Sequence, residues 1–280
     1  MNGILLIDKP SGITSYDVIR QLKKRLKGVK IGHAGTLDPL ASGLLIVLLG
    51  SATKLFDLLT SDKKKYSGII AFGHLYDSYD ILGNVTASKT PQINDQLIEK
   101  AFNHFNNYTY MQIPPVYSAL KVKGKKAYEY ARSGEDVELN PREVTIYELT
   151  QTSLYENDEI GFKTIVSKHT YIRSLAYDFG AYLGEYAALK ALRREAIGPF
   201  NVKDATTVDN IKLITINQYF NDYYQLKFDK FTTNLVKNGV WLDSRQTDTK
   251  NEFVVLDEND DVIALYEPVG DGRYRPKIMF

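Results

Sequence analysis

The chain has no cysteine, so it holds neither a disulfide framework nor a thiolate metal site. Its four histidines, His33, His74, His104 and His169, lie far apart without H-x-x-x-H spacing, and no metal site is expected. No apolar run is long enough to span a bilayer. The start, M-N-G-I-L-L-I-D-K-P, lacks the basic segment and small-residue cleavage site of a secretory signal. There is no P-loop and no dinucleotide fingerprint, so no nucleotide cofactor is expected. Net charge is only +1, which argues against attraction to a polyanion by the chain as a whole. What remains is an ordinary globular composition, 44% hydrophobic and 25% charged, over 280 residues. That length suits one large domain or two unequal ones. A cytoplasmic protein without membrane association is expected.

The charge that is present is unevenly placed. Residues 1–50 hold seven basic and three acidic side chains, and residues 251–280 hold three basic and seven acidic ones. Basic clusters fall at Lys23-Lys24-Arg25-Lys27-Lys30, Lys63-Lys64-Lys65, Lys121-Lys123-Lys125-Lys126 and Arg193-Arg194. Each alone reads as a solvated face. Four of them, in a chain with 20 tyrosines, point to a groove for a polyanion.

The most informative stretch is G-H-A-G-T-L-D-P-L-A-S-G, Gly32–Gly43. Gly32 and Gly35 permit backbone angles closed to other residues. Pro39 keeps Leu37-Asp38 out of the helical region. The run L-L-I-V-L-L-G that follows reads as a buried strand. Asp38 thus sits on a stiff loop entering the core, either as a reactive carboxylate or as an Asp that hydrogen-bonds its own turn.

Elsewhere, strands are expected at Ile4 to Ile7, Leu44 to Leu49, Tyr66 to Phe72, Val144 to Leu149 and Ile160 to Val166. Helices are expected from Ser15, as N-cap, to about Leu26, from Asp95 to Phe105, and from Tyr171 to Leu183. Strands and helices do not alternate regularly, which predicts an α+β fold with a mixed, largely antiparallel central sheet and flanking helices. Beyond about Lys230 the pattern becomes that of a small β module, with a hairpin formed by Phe253 to Leu256 and Val262 to Tyr266. The expected division is therefore 1–230 and 231–280, with residues 206–229 as a connecting segment.

Seven segments then occur in a telling order: G-I-L-L-I-D-K-P-S-G-I-T-S with the Asp38 loop after it, K-K-Y-S-G, D-S-Y-D-I-L-G, P-P-V-Y-S-A-L-K, R-E-V-T-I-Y-E-L, S-K-H-T-Y-I-R-S-L and L-R-R-E-A-I-G-P-F. Together they resemble the TruB family of bacterial tRNA pseudouridine-55 synthases, strongly over residues 3–200. The closing Y-R-P-K-I-M-F is weakly similar to the end of a PUA-type RNA-binding domain. The resemblance implies the pseudouridine synthase fold, a PUA-like module, and isomerisation of uridine 55 in the T-arm of tRNA without any cofactor. The partner it implies is tRNA alone, met by a monomer with no obligate protein partner.

On this resemblance Asp38, Tyr66 and Arg173 fall on catalytic positions. Carboxylates suit chemistry at an anomeric carbon, and Asp38 is left open as nucleophile or base. Arg173 would hold that carboxylate bidentately in a desolvated pocket. Tyr66 would stack on the target base or take part in proton transfer through its hydroxyl. His33 would fill the space left by an everted uridine, because a base inside folded RNA must be flipped out before its glycosidic bond is reached. Asp77 is expected to contact Arg173 or the RNA, Tyr117 and Lys121 to face substrate, and Leu192 to line the uracil pocket. Lys63, Lys64, Arg193 and Arg194 are candidates for phosphate contacts. Lys9 and Pro10 are expected to brace the Asp38 loop. His169 stands where the family commonly has glycine, and Glu195 stands beside the arginine pair as a possible partner. Guide-RNA-dependent relatives share G-T-L-D-P; the compact length and the D-P-L-A-S-G-L-L continuation favour a stand-alone enzyme. The competing reading is a non-catalytic RNA-binding protein or tRNA-folding chaperone.

Overall fold

A computed structural model describes residues 1–60 and 62–280, with the backbone alone at Arg132. Twelve elements build the larger part. They are β1 (Gly3–Lys9), α1 (Ser15–Arg25), β2 (Ile31–Ala34), β3 (Ala41–Leu49), β4 (Lys64–Phe72), α2 (Asp95–Phe105), β5 (Tyr108–Gln112), β6 (Arg142–Gln151), β7 (Glu159–Val166), α3 (Ile172–Tyr182), β8 (Ala187–Ile197) and β9 (Leu213–Ile214). The strands form one sheet in the order β9-β1-β3-β8-β4-β7-β6-β5, with β2 beside β3 and residues 200–201 beside β8. Only β8 and β3 run parallel; the other pairs are antiparallel.

Period-2 alternation explains why the first strands are apolar at nearly every position. Leu5 and Ile7 of β1, with Leu45, Val47 and Leu49 of β3, face the cluster that contains Val18, Ile19 and Leu22 of α1 and Ile98 of α2. Ile4, Leu6, Leu44, Ile46 and Leu48 face the other way. That second face belongs to a buried cluster built mainly by Ala52, Leu55, Leu59, Ile197, Ile216 and Phe220, which Val254, Val262 and Leu265 of the C-terminal part join.

The C-terminal part is a five-stranded sheet. Its strands β10 (Tyr224–Lys227), β11 (Leu242–Asp243), β12 (Phe253–Leu256), β13 (Val262–Gly270) and β14 (Arg273–Met279) lie in the order β10-β12-β13-β14-β11, and α4 (Lys230–Lys237) packs on β13. Phe253 and Val255 turn into the module's own core with Val236 and Tyr266, while Val254 between them turns to the large sheet. The fold class is the α+β architecture expected, with a small second sheet at its C-terminal end.

Three expectations need correcting. The N-cap of α1 is Thr14, which forms a capping box with Asp17; Ser15 is buried and has another partner, described below. Residues 206–229 are not merely a connection: β9 extends the large sheet, and β10 pairs parallel with β12, so the second sheet begins ahead of residue 231. Strand β8 was not foreseen. Its charged L-R-R-E hides a strand that lies near the middle of the sheet.

Candidate active site

The loop that carries Asp38 is held on two sides. From the N-terminal side, the Ser15 hydroxyl accepts from the Leu37 amide (2.8 Å) and donates to the Leu37 carbonyl (3.1 Å). The Gly12 amide donates to the Pro39 carbonyl and the Ser11 hydroxyl to the Leu40 carbonyl, both at 2.8 Å. The Lys9 ammonium is buried and donates to the Pro10 and Ile13 carbonyls, which stiffens the bracing turn. From the other side, Arg194 on β8 donates to the carbonyls of Leu44 (2.7 Å), Gly35 (2.8 Å) and Thr36 (3.4 Å). Gly35 takes φ +81°, while Gly32 is an ordinary strand residue of β2.

The Asp38 carboxylate does not bond its own turn. It accepts from Arg173 Nε at 2.8 Å. The pair is asymmetric: the Arg173 side chain is 5% exposed and that of Asp38 41%. The buried guanidinium therefore backs a carboxylate that is partly open to solvent. The expected two-point grip is replaced by a fan, in which Arg173 also donates to the carbonyls of Ser78 (3.0 Å) and Tyr117 (2.9 Å). A second carboxylate, Asp80, lies 3.6 Å from Arg173 Nε. Burial pushes the Asp80 carboxyl up, and the Arg173 charge offsets only part of that rise.

Arg173 owes its place to the start of α3. Tyr171, the N-cap, supplies no side-chain cap. The Gln112 amide serves instead: its oxygen accepts from the Tyr171 amide (2.8 Å) and its nitrogen donates to the Tyr171 carbonyl (3.2 Å) and the Tyr110 hydroxyl (2.8 Å). Tyr110 in turn donates to Asp178 on α3 (2.7 Å). His169, ahead of the helix, takes φ +66°, so the imidazole-bearing residue adopts the backbone a glycine would take. Tyr79 also has positive φ, +62°, and stacks on Tyr177 of α3 with centroids 4.3 Å apart. That stack sets the turn carrying Ser78 and Asp80 against the helix carrying Arg173.

The remaining expected residues divide. Tyr66 on β4 is 6% exposed and pairs across the sheet with Arg194; it shares an apolar cluster with Leu37, Ala41 and Leu192. Leu192 on β8 pairs with Ala41, at the end of the Asp38 loop. His33 on β2 has a buried Nδ1 with no hydrogen-bond partner, and its pKa is lowered by burial and by the Arg194 charge. Tyr117 reaches the site through its carbonyl on Arg173. Asp77 does not touch Arg173: its carboxylate accepts from Asn84 and from the Tyr117 hydroxyl (3.3 Å), and Asp80 takes the place expected for it. Asp77 and Tyr117 border a cleft of about 490 Å³ that extends to residues 134–138. Lys121 is exposed on a two-residue strand, and no contact among the described residues ties it to Asp38.

Three of the cations expected to meet phosphate have internal partners in this structure. Lys64 turns inward to the Thr60 and Asp62 carbonyls, and burial lowers its pKa to about 8. Arg193 is gripped at two points by Asp8 (2.7 and 3.1 Å). Arg194 is buried under the loop. Glu195 lies 4.0 Å from Arg193 Nε, but its hydrogen bond comes from Ser67. Asp80, Gln112 and the buried roles of Ser15 and Arg194 were not foreseen. The second acid of D-S-Y-D was the one available signal.

A family model described as "TruB family pseudouridylate synthase (N terminal domain)" matches residues 23–172. The chain is 43% identical to "tRNA pseudouridine synthase B" of Onion yellows phytoplasma, with all of both chains covered. It is 41% identical to the protein of that name from Acholeplasma laidlawii, again over the full length of both. This chain belongs to the TruB family. Among solved structures, a chain of a Cbf5-Nop10-Gar1 complex aligns with TM-score 0.69 at 23% identity, covering 96% of this chain and 79% of that one. A chain of the archaeal box H/ACA sRNP Nop10-Cbf5 complex aligns with TM-score 0.67 at 20% identity, covering 95% and 78%. At these identities the likeness concerns the fold.

In a TruB-family protein the geometry has a clear chemical meaning. A partly exposed carboxylate on a braced loop, backed by a buried guanidinium, is held in place before any reaction. No group of three or more His, Cys, Asp or Glu among the described residues is arranged to hold a metal ion. No helix among them is long and apolar enough to cross a membrane.

Proposed function

We propose that this protein is a stand-alone tRNA pseudouridine synthase that isomerises uridine 55 of the T-arm. The observation that carries this reading is the 2.8 Å pair between a half-exposed Asp38 and a buried Arg173, in a chain related over its full length to proteins of that name. In the reaction N1–C1′ breaks and N1 takes up a proton, C5–C1′ forms, and the proton on C5 leaves. Nothing is oxidised or hydrolysed, so no cofactor is called for. Asp38 is the essential group, as nucleophile or base. Tyr66 stacks on the uracil, Leu192 walls its pocket, and His33 occupies the gap in the RNA after the base is flipped. Lys121 and the basic residues of α1 carry phosphate contacts, which orient the RNA without choosing the base.

We divide the chain into a catalytic domain and a PUA-like RNA-binding module. The boundary is drawn ahead of Tyr224 because β10 belongs to the second sheet. A monomer without a protein or guide-RNA partner, working in the cytoplasm, fits the full-length match to the bacterial synthases. The purified chain, given transfer RNA tritiated at uracil C5 and nothing else, should release about one tritium per T-arm target. Absence of release until another protein or a guide RNA is added would overturn the stand-alone reading. Faster tRNA folding without release would favour the chaperone.

A further inference from the structure

We propose that Arg194 is a positioning residue for Asp38, tying the entry and exit of the catalytic loop together from beneath through three backbone carbonyls. The proposal rests on the reading above that Asp38 performs the reaction. Arg194 is 1% exposed and, among the described residues, has no carboxylate within 4 Å. A cation taken from water is costly, and neutral carbonyls return only part of that cost. An apolar side chain would fill this strand position more cheaply, so the charge calls for a reason. The geometry gives one. The planar guanidinium spans Gly35 and Thr36, which lead into the loop, and Leu44, which leads out; Asp38 lies between.

Both glycines of the loop are shaped by this residue. A Cβ on Gly35 would stand 3.3 Å from Arg194 Nη1, and one on Gly43 would stand 2.3 Å from the Arg194 carbonyl oxygen. The backbone of Arg194 is paired with Gly43, while its side chain grips the loop. Strand β8 also packs against α3, which bears Arg173. One strand therefore sets both partners of the Asp38–Arg173 pair. Lysine cannot replace this fork, because a single ammonium cannot present coplanar donors to carbonyls on opposite sides of a loop.

The test compares Arg194→Lys, Gly35→Ala and the double variant with the wild type. Thermal midpoint, tRNA dissociation constant and single-turnover rate are measured for each. A small misplacement of the carboxylate is expected to slow single turnover about 100-fold in either single variant. The tRNA dissociation constant should stay within about threefold, since no phosphate contact is lost. The double variant should be no slower than the slower single one, because both act on one linkage. Arg194→Lys with the wild-type rate would overturn the proposal. So would affinity falling in step with rate, or losses that multiply in the double variant. Should Arg194→Lys fail to fold, Gly35→Ala decides alone: slow turnover with normal affinity supports the clamp, and normal turnover refutes it. Failure of the wild type on tRNA would instead refute the function proposed above.

Discussion

Lys64 and Lys9 are lysines whose ammonium groups are turned into the protein, and burial lowers both to about 8. For each, the charge of Arg194 adds to the lowering. The consequence is a pH dependence of stability with a definite sign. Between about 8 and 10.5 the unfolded chain keeps protons that the folded chain has released, so stability rises with pH across that window. Lys64→Met removes one contributor. The urea midpoint of the variant, taken relative to wild type at each pH, should fall steadily from pH 8 to 10. A difference that stays constant over the window would contradict the inward placement of this amine.

Elements carry the second layer of the account. Helix α3 starts without a side-chain cap of its own, and Gln112 supplies the bonds from a neighbouring strand. Gln112→Ala leaves the Tyr171 amide and the Tyr110 hydroxyl without this partner, and should cost about 1–3 kcal/mol in chemical denaturation. It should also slow turnover by loosening Arg173; unchanged stability would contradict the bracing of the α3 start by Gln112. This level also shows where reading the sequence stops. The runs around Leu5 and Leu45 were legible as strands because they are apolar on both faces. Helix α2 was legible from the spacing of Ile98, Phe102 and Phe105. Strand β8 was not, because Arg193, Arg194 and Glu195 look like a solvated face until their partners Asp8, Leu44 and Ser67 are known. Asp77 was chosen over Asp80 for a related reason: local order cannot tell which acid of a turn points at an arginine nearly a hundred residues away in the chain.

The whole molecule is held together by a shared apolar layer rather than by a tether. Ile4, Leu6, Leu44, Ile46 and Leu48 on the back of the large sheet share one buried cluster with Ala52, Leu55, Ile216 and Phe220, and Val254, Val262 and Leu265 of the C-terminal sheet belong to the same cluster. A chain ending at residue 223 would uncover the apolar residues of that cluster against which Val254, Val262 and Leu265 pack, and exposed apolar surface drives association. It should bind a hydrophobic dye, melt earlier than the full chain, and associate in solution. A monomeric truncation with the full-length thermal midpoint would contradict this packing. The same layer backs β3, so the module bears indirectly on the strand from which the Asp38 loop emerges. The central claim remains the role of that carboxylate, and its most direct test is a map of modified uridines. Unmodified tRNA is incubated with wild type or Asp38→Asn, and pseudouridine is located by chemical modification and primer extension. The account predicts one pseudouridine at position 55 with wild type, none with Asp38→Asn, and equal tRNA retention by both. Modification at that position by Asp38→Asn at the wild-type rate would contradict it.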